Sequence, residues 1–409
     1  MKVVHLNYSD GQAGGGAVSS VLLHKNLIRK GASSVMIVRN HFRGVESSIR
    51  YPSKWALYPR LLAKVRAINN KFLETNYHLL PDSFYHTNFS PTMIARAIDR
   101  LNPNIVHLHV FPDLISIREI SQLNMPIVIT LRDYWPMTGG CHFPFDCQGY
   151  QKTCGQCPVL HSTDPNDLSH KVWQQKEILW SDRNISVVAP SSWMKECAER
   201  SSLFGNKQIH LIPNGIDTTI FKPHDKQRTR NHFGLSKNKK IVLCGSHDLQ
   251  HQHKGIVPLL SLLDREINEN NVQVVAFGTN PPKMDRSKFK FIGSITDRAE
   301  MAKIFSAADV FVCPTRTESF GLVIAESMAC GTPVVAFGVG GPLDIIDHRQ
   351  NGYLAAPQNF EDIYKGIQWV IDETKKTSFS GRCREKIVSN FDITNIAKQY
   401  LDLYQTLVH

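Results

Sequence analysis

The chain has 409 residues, 42% apolar and 20% charged, which suits a globular protein of two ordinary domains and excludes a disordered or fibrous one. No stretch of about eighteen apolar residues occurs, so no helical membrane span is expected. A formal net charge of +11 asks for an anionic partner: a sugar nucleotide, an acidic lipid surface or a nucleic acid.

Val3-Val4-His5-Leu6 reads as a first strand, with an apolar run too short for a signal-peptide core, so a cytoplasmic protein is expected. Its nine cysteines are then expected reduced or metal-bound. A glycine loop from Ser9 to Gly16 precedes a helix over 17–29. Such a loop brings backbone amides to a phosphate or serves as a flexible turn, and its spacing is not G-x-G-x-x-G. Val35-Met36-Ile37-Val38 completes a βαβ unit. Residues 43–73 carry seven basic side chains (Arg43, Arg50, Lys54, Arg60, Lys64, Arg66, Lys71) against one acid, Glu46. Interleaved with Tyr51, Trp55, Tyr58, Val65, Ile68 and Phe72, they suit a segment on an anionic membrane surface or a packing helix with a solvated basic face.

A polar helix over 90–101 leads to a buried strand at 105–110, where His107 and His109 share one face, as ligands or as satisfied core histidines. The strand at 126–131 runs into Arg132-Asp133-Tyr134-Trp135. The stretch CHFPFDCQGYQKTCGQC then places Cys141, Cys147, Cys154 and Cys157 in a short loop with a closing C-x2-C. That spacing suits a closed, structural zinc, or four reduced thiols. After strands near 185–189 and 209–212, Pro213-Asn214-Gly215 marks the best boundary. We read 1–210 and 211–385 as two domains and 386–409 as a closing segment.

The second domain opens with the strand Lys240–Gly245 and the turn Ser246-His247-Asp248-Leu249-Gln250-His251-Gln252-His253-Lys254-Gly255. Strands at 272–278 and 289–293 and a helix over 298–308 lead to Val310-Phe311-Val312-Cys313-Pro314, an apolar run without polar alternation, as in a strand covered on both faces. There follows TRTESFGLVIAESMACGTP. Ser319 is placed as an N-cap, Gly321 lets the backbone approach a ligand, and free amides at a helix start bind phosphate oxygens. Glu318 and Glu326, eight positions apart, sit a little over two turns from each other on such a helix, able to address one cavity. A nucleoside diphosphate with a polyol on each side fits that combination; a loop carboxylate and a solvated helix glutamate would leave the same spacing.

ESFGLVIAE resembles the E-x7-E signature of retaining glycosyltransferases of family four. AFGVGGPLDIIDHRQNGYLAAP is similar to that family's donor strand and glycine loop, followed by an NGYL turn, and IPNGID resembles its hinge. The resemblance covers nearly the whole chain, and the W-P-x-T-G-G-C-H stretch resembles a subset from bacterial polysaccharide biosynthesis. It implies an α/β, GT-B fold: two Rossmann-like domains, 1–210 acceptor-binding and 211–385 nucleotide-sugar-binding, an interdomain cleft and a final helix, 396–407, crossing back to the first domain. It implies a donor site of Gly15, Gly16, Ser246, Lys254, Ser319, Phe320, Gly321, Leu322 and Glu326, and a reacting centre of Glu318, Lys254, Arg132, Asp133 and His109. Two positions depart from the family. Arg132 stands where a histidine is usual, suiting a phosphate or an acidic sugar. Ser246 stands where an arginine is usual, so one donor-phosphate charge is absent, for which His247, His251, His253 or Arg132 would have to compensate.

The implied activity is retaining transfer of a hexosyl group from a UDP- or GDP-linked sugar to a glycan or polyprenyl-linked acceptor, in cell-surface polysaccharide biosynthesis, at the inner face of the membrane and without a catalytic metal. A nucleotide-sugar epimerase and a non-catalytic sugar-nucleotide binder are the alternatives. No nucleic-acid module is visible, so no nucleic-acid partner is expected.

Overall fold

The computed structural model describes all residues except 12–13, 43–44, 52–63, 66–67, 69–70, 73–74, 81–82, 268–269, 286–287, 374–378 and 409. Most of the basic segment, including Arg43, Lys54, Trp55, Tyr58, Arg60 and Arg66, lies outside the described residues. The chain divides into two compact units, Met1–Pro213 with Ile396–His409, and Asn214–Asn395.

The first unit is built on β1 (Lys2–Ser9), β2 (Ser33–Asn40), β3 (Ser48–Arg50), β4 (Ile105–Leu108), β5 (Ile127–Thr130), β6 (Ile185–Ala189) and β7 (Gln208–Leu211). They form one sheet in the order β3-β2-β1-β4-β5-β6-β7, parallel throughout, with Val4 opposite Val35 on one side and Val106 on the other. β4, β5 and β6 are buried at every position, which is why IVHL, IVIT and ISVVA lack the polar alternation of a one-sided sheet. The chain reverses direction of growth between β1 and β4, and at such a switch point open α/β sheets bind ligands beyond the strands' carboxyl ends.

The second unit repeats the plan with β8 (Lys240–Asp248), β9 (Val272–Thr279), β10 (Phe289–Phe291), β11 (Val310–Cys313), β12 (Val334–Phe337) and β13 (Gly352–Ala355). Their order is β10-β9-β8-β11-β12-β13, again parallel. Two parallel sheets of this kind are the α/β, Rossmann-like architecture expected.

Several local expectations need correction. Gly14, Gly15 and Gly16 are not a loop but the first turn of the helix Gly14–Arg29. The NGYL turn is a turn only up to Asn351; Gly352–Ala355 is the edge strand β13, paired with β12. Residues 386–391 complete the helix Phe379–Phe391, which belongs to the second unit; the final helix is Ile393–Val408. From Ile396 onward that helix joins the first unit, where Tyr404 and Tyr400 are buried against the strands. Tyr404 Oη lies 2.6 Å from His107 Nδ1, and Tyr400 Oη 3.1 Å from Thr130 Oγ1. Among the described residues no helix is long and apolar enough to cross a membrane.

Candidate functional site

In the second unit, β11 ends at Cys313 and the chain turns into the helix Leu322–Ala329. The run LVIAESMA forms a helix whose Ile324, Ala325, Met328 and Ala329 enter the core. Phe320 anchors the turn: it is 1% exposed and meets Phe391 edge-on at 5.7 Å, a burial that contributes about 1.5–3 kcal/mol. The helix begins at Gly321, with φ 101°, and no side chain caps it. Ser319 is therefore not the N-cap; a left-handed residue that only glycine adopts cheaply stands there instead. The Ile324 and Ala325 amides donate to the Gly321 carbonyl at 3.0 and 3.1 Å, so the orphan donors of this helix start are those ahead of Ile324.

Glu318 meets Lys254, Oε2 to Nζ 3.2 Å. What holds the lysine there is Gly255, with φ 66°, packed so closely under the end of β11 that a Cβ would lie 2.3 Å from the Pro314 carbonyl oxygen. Burial would lower the Lys254 pKa, but Glu318 outweighs it and the pKa is raised, keeping the ammonium charged. The glycine loop closes the other side. A Cβ on Gly340 would come 2.1 Å from the Glu318 carbonyl oxygen, and one on Gly341 2.1 Å from that of Phe320. The Gly341 amide donates to the Glu318 carbonyl at 2.9 Å. Lys254, Glu318, Phe320 and the two glycines are thus one layer.

Glu326 is placed differently. Its side chain is 1% exposed and ion-paired with Arg298, itself 38% exposed and lying 4.6 Å from the Phe221 ring centre. Burial raises the Glu326 pKa, and Arg298 pulls part of that shift back. The two carboxylates do not face one cavity equally: Glu318 is half-buried and Glu326 is sealed behind Arg298. The sequence reading missed Arg298; its signal was Asp297, which caps the helix Arg298–Ala307 by accepting from the Glu300 amide and so sets Arg298 at the helix start. Ser246 donates to the Asp248 carbonyl at 2.5 Å within its own turn and adds no charge. His253 does not replace the missing arginine, because burial, then Lys254, pushes its pKa down to about 3.

In the first unit, Gly16 lies under Arg132: its Cβ would fall 3.3 Å from that of Arg132. Gly14 and Gly15 are exposed. Arg132 Nη2 is 3.1 Å from His109 Nδ1, and His109 Nε2 is 3.0 Å from His5 Nδ1. A guanidinium only donates, so His109 accepts at Nδ1 and donates from Nε2 to His5. Burial pushes the pKa of both imidazoles well down, and Arg132 adds to it, so the chain that holds Arg132 is neutral. Asp133 accepts from the Trp135 amide at 2.8 Å and from His142 Nδ1 at 2.8 Å. Burial would raise its pKa, but His142 and the amide outweigh that and lower it.

Among the described residues, His5, His107 and His109 are the one group of three potential metal ligands with ligand atoms within 4.8 Å of one another. Both His107 nitrogens already meet hydroxyls, Tyr404 at 2.6 Å and Thr130 at 2.7 Å, and Arg132 abuts His109, so a dication there would meet a buried guanidinium. The trio is a hydrogen-bond chain. Cys141, Cys147, Cys154 and Cys157 do not reach the same mutual spacing. Amides nevertheless point at two of their sulfurs, Gly139 at Cys154 (3.2 Å) and Gly149 at Cys147 (3.4 Å).

The two-sheet architecture recurs in solved glycosyltransferase structures. Sucrose-phosphate synthase from Thermosynechococcus elongatus matches over 99% of this chain and 98% of that one, with a TM-score of 0.70 at 21% identity. HepE from Anabaena, in complex with UDP-glucose, matches over 100% of both chains, with a TM-score of 0.69 at 17% identity. The fold is that of a GT-B glycosyltransferase. Residues 13–220 match the profile described as Glycosyltransferase Family 4 and residues 238–373 that described as Glycosyl transferases group 1. The chain belongs to glycosyltransferase family 4. WcaC of Escherichia coli (strain K12), named for colanic acid biosynthesis, is 23% identical over 96% of this chain and 97% of its own length.

Proposed function

We propose that this glycosyltransferase works with retention of configuration, moving a hexosyl group from a nucleoside diphosphate to a hydroxyl of a glycan or lipid-linked acceptor. The observation that carries the reading is the layer at the carboxyl end of β11, where Lys254 meets Glu318 at 3.2 Å beside an uncapped helix start. In this reading Lys254 and the amides at Gly321 and Leu322 offset the charge that develops on the diphosphate as its bond to the sugar carbon breaks. Glu318 orients the donor sugar. The ribose hydroxyls meet the Arg298–Glu326 pair, with Arg298 as its exposed member. The bond from the acceptor oxygen to the sugar carbon forms on the face the diphosphate leaves, and the acceptor proton passes to a departing phosphate oxygen. Arg132, fixed by His109 over the first turn of the Gly14–Arg29 helix, adds a permanent cation for a phosphate. WcaC supports a polysaccharide pathway, and HepE supports a uridine nucleotide.

A structural zinc on Cys141, Cys147, Cys154 and Cys157 belongs to the same proposal, supported by the ligand spacing and by the amides aimed at Cys147 and Cys154. Contact of the basic segment with an anionic membrane surface is supported by its described residues: Lys64, Val65, Ile68, Lys71 and Phe72 are helical and exposed.

The test is a thermal-shift screen with UDP, GDP and their hexose conjugates, followed by chromatography of the donor with and without acceptor. A bound nucleotide raises the melting point by mass action, and Lys254→Met should abolish that rise. Full interconversion of donor sugars without an acceptor would identify an epimerase, and no shift with any nucleotide would end the proposal.

A further inference from the structure

We propose that Arg298 is the specificity-determining residue at the ribose end of the donor site, and that it makes this end accept a nucleotide phosphorylated on the ribose 2′-oxygen. The site rests on the donor reading given above, but its chemistry is the reverse of a glutamate facing the sugar: it selects for lone pairs and not for hydroxyl donors.

Arg298 is the first residue of the helix Arg298–Ala307, and two groups fix its guanidinium. Nη2 donates to Glu326 Oε1, and the guanidinium carbon lies 4.6 Å from the centre of the Phe221 ring. Phe221 is itself 1% exposed and meets Phe305, with ring centres 6.5 Å apart, so the ring is a fixed support. A planar cation held between a carboxylate and an aromatic ring is pre-organised for a ligand. Glu326 is 1% exposed and keeps its lone pairs behind that cation, whereas the Arg298 side chain is 38% exposed. A guanidinium only donates, and an ionised carboxylate only accepts. Covering one with the other therefore reverses what a ligand finds: N–H groups where the glutamate alone would offer oxygens.

The acids beside Arg298 in the chain are engaged elsewhere. Asp297 Oδ1 accepts from the Glu300 amide at 2.9 Å, and Glu300 meets His232 Nε2 at 2.6 Å and Lys303 Nζ at 2.7 Å. Arg298 also opens a helix of 10 residues, whose dipole adds positive potential at that end. The class of ligand follows from these charges. A ribose hydroxyl accepts from a guanidinium and donates to a bare carboxylate equally well, so a plain nucleotide does not separate the two arrangements. A phosphate on that hydroxyl does, because it takes a charge-assisted contact from the arginine fork and is repelled by an open glutamate. Nucleotide-binding α/β sheets draw the same distinction, an acid taking the free 2′-hydroxyl and an arginine accommodating a 2′-phosphate. The negative charge of Glu326 does not cancel this. An anion meets the guanidinium at hydrogen-bond distance and the carboxylate only beyond it, so attraction wins, and burial raises the Glu326 pKa, which weakens the opposing charge. Glu326 is then the positioning residue that holds Arg298 on Phe221.

The experiment is titration calorimetry on the full chain with UMP, GMP and the 2′-phosphorylated form of each, with UDP and GDP as references for donor binding. It is run on the wild type, Arg298→Met and Glu326→Gln at about pH 6, where stranding Glu326 costs less than at higher pH. In the wild type the phosphorylated form of the bound nucleotide should bind at least as tightly as the plain one. Arg298→Met should weaken the phosphorylated form about tenfold relative to the plain one, and Glu326→Gln should keep or strengthen the wild-type preference. A merely structural role for Arg298 would leave the ratio between the two ligands unmoved. Weaker binding of the phosphorylated form by the wild type, a preference lost in Glu326→Gln, or a ratio unchanged in Arg298→Met would overturn the site. Wild type and Glu326→Gln decide even where Arg298→Met does not fold. Any of these failures with UDP or GDP still bound leaves the donor reading standing, whereas binding of no nucleotide at all would overturn both.

Discussion

Arg298→Met puts the largest calculable load on the second unit. The substitution strands Glu326, whose side chain is 1% exposed, without the guanidinium that faces it. The carboxyl group escapes by taking a proton, so the penalty has a ceiling: the cost of protonating a glutamate of ordinary pKa 4.5 at the working pH. That ceiling is about 5 kcal/mol at pH 8 and about 0.7 kcal/mol at pH 5. The sign follows from burial. Glu326 already has a raised pKa in the fold, so its favourable contribution is present below the unfolded value and is lost as pH rises through the folded one. Removing Arg298 moves that window further up. Glu326→Gln is the contrasting variant. It removes the buried charge and leaves Arg298, 38% exposed, to be hydrated, at a cost of about 1 kcal/mol. For a unit of this size each kcal/mol shifts the melting point by about 2–4 °C. Arg298→Met should therefore lose at most about 10–20 °C at pH 8 and at most a few degrees at pH 5, relative to wild type at each pH. Circular-dichroism melts of the three proteins at the two pH values decide it. A pH-independent deficit in Arg298→Met, or a Glu326→Gln variant equally damaged at pH 8, would refute the argument that the arginine neutralises a sealed carboxylate.

Lys176 gives a second pH signature. It is fully buried, donates to the Trp135 and Thr138 carbonyls and lies 3.5 Å from the Trp135 ring centre. Burial pulls its pKa from 10.5 to about 7, so the unfolded chain binds the extra proton above pH 7 and stability should rise between pH 7 and 9. Lys176→Met should flatten that rise in urea titrations. Gly255→Ala should cost roughly 1–3 kcal/mol and weaken UDP binding together with it, because the new Cβ drives Lys254 away from Glu318; unchanged affinity in calorimetry would contradict this. The purified protein should carry a single zinc that Cys154→Ser releases, measured by elemental analysis, whereas four thiols titrating freely in a metal-free protein would refute it. Binding to anionic but not zwitterionic vesicles, reduced by Ile68→Asp and by high salt, is expected in sedimentation; Ile68 is 67% exposed, so its loss costs the fold little.

The central strands were legible because a strand covered on both faces has no polar alternation to confuse with a loop, as in Val310–Cys313 and Ile127–Thr130. The strands that escaped, Ser48–Arg50 and Gly352–Ala355, are short pieces at the sheet edges, where half the surroundings that would shape the sequence are missing. The glycines of the first loop were read as a loop and instead open a helix, because composition reports backbone freedom and not which turn uses it. The sites divide along the same line. Glycine spacing and a glutamate pair can be read from the chain, since they follow one another within a turn or two. Which partner each charge takes cannot, because Lys254 and Glu318 meet across 64 positions and His142 and His86 across 56. That choice decides function: the same residue type gives a half-buried carboxylate at Glu318, paired with a charged lysine, and a sealed one at Glu326, where Arg298 becomes the side chain a ligand would meet. The E-x7-E spacing names two acids, and only the fold shows that one of them is sealed behind an arginine.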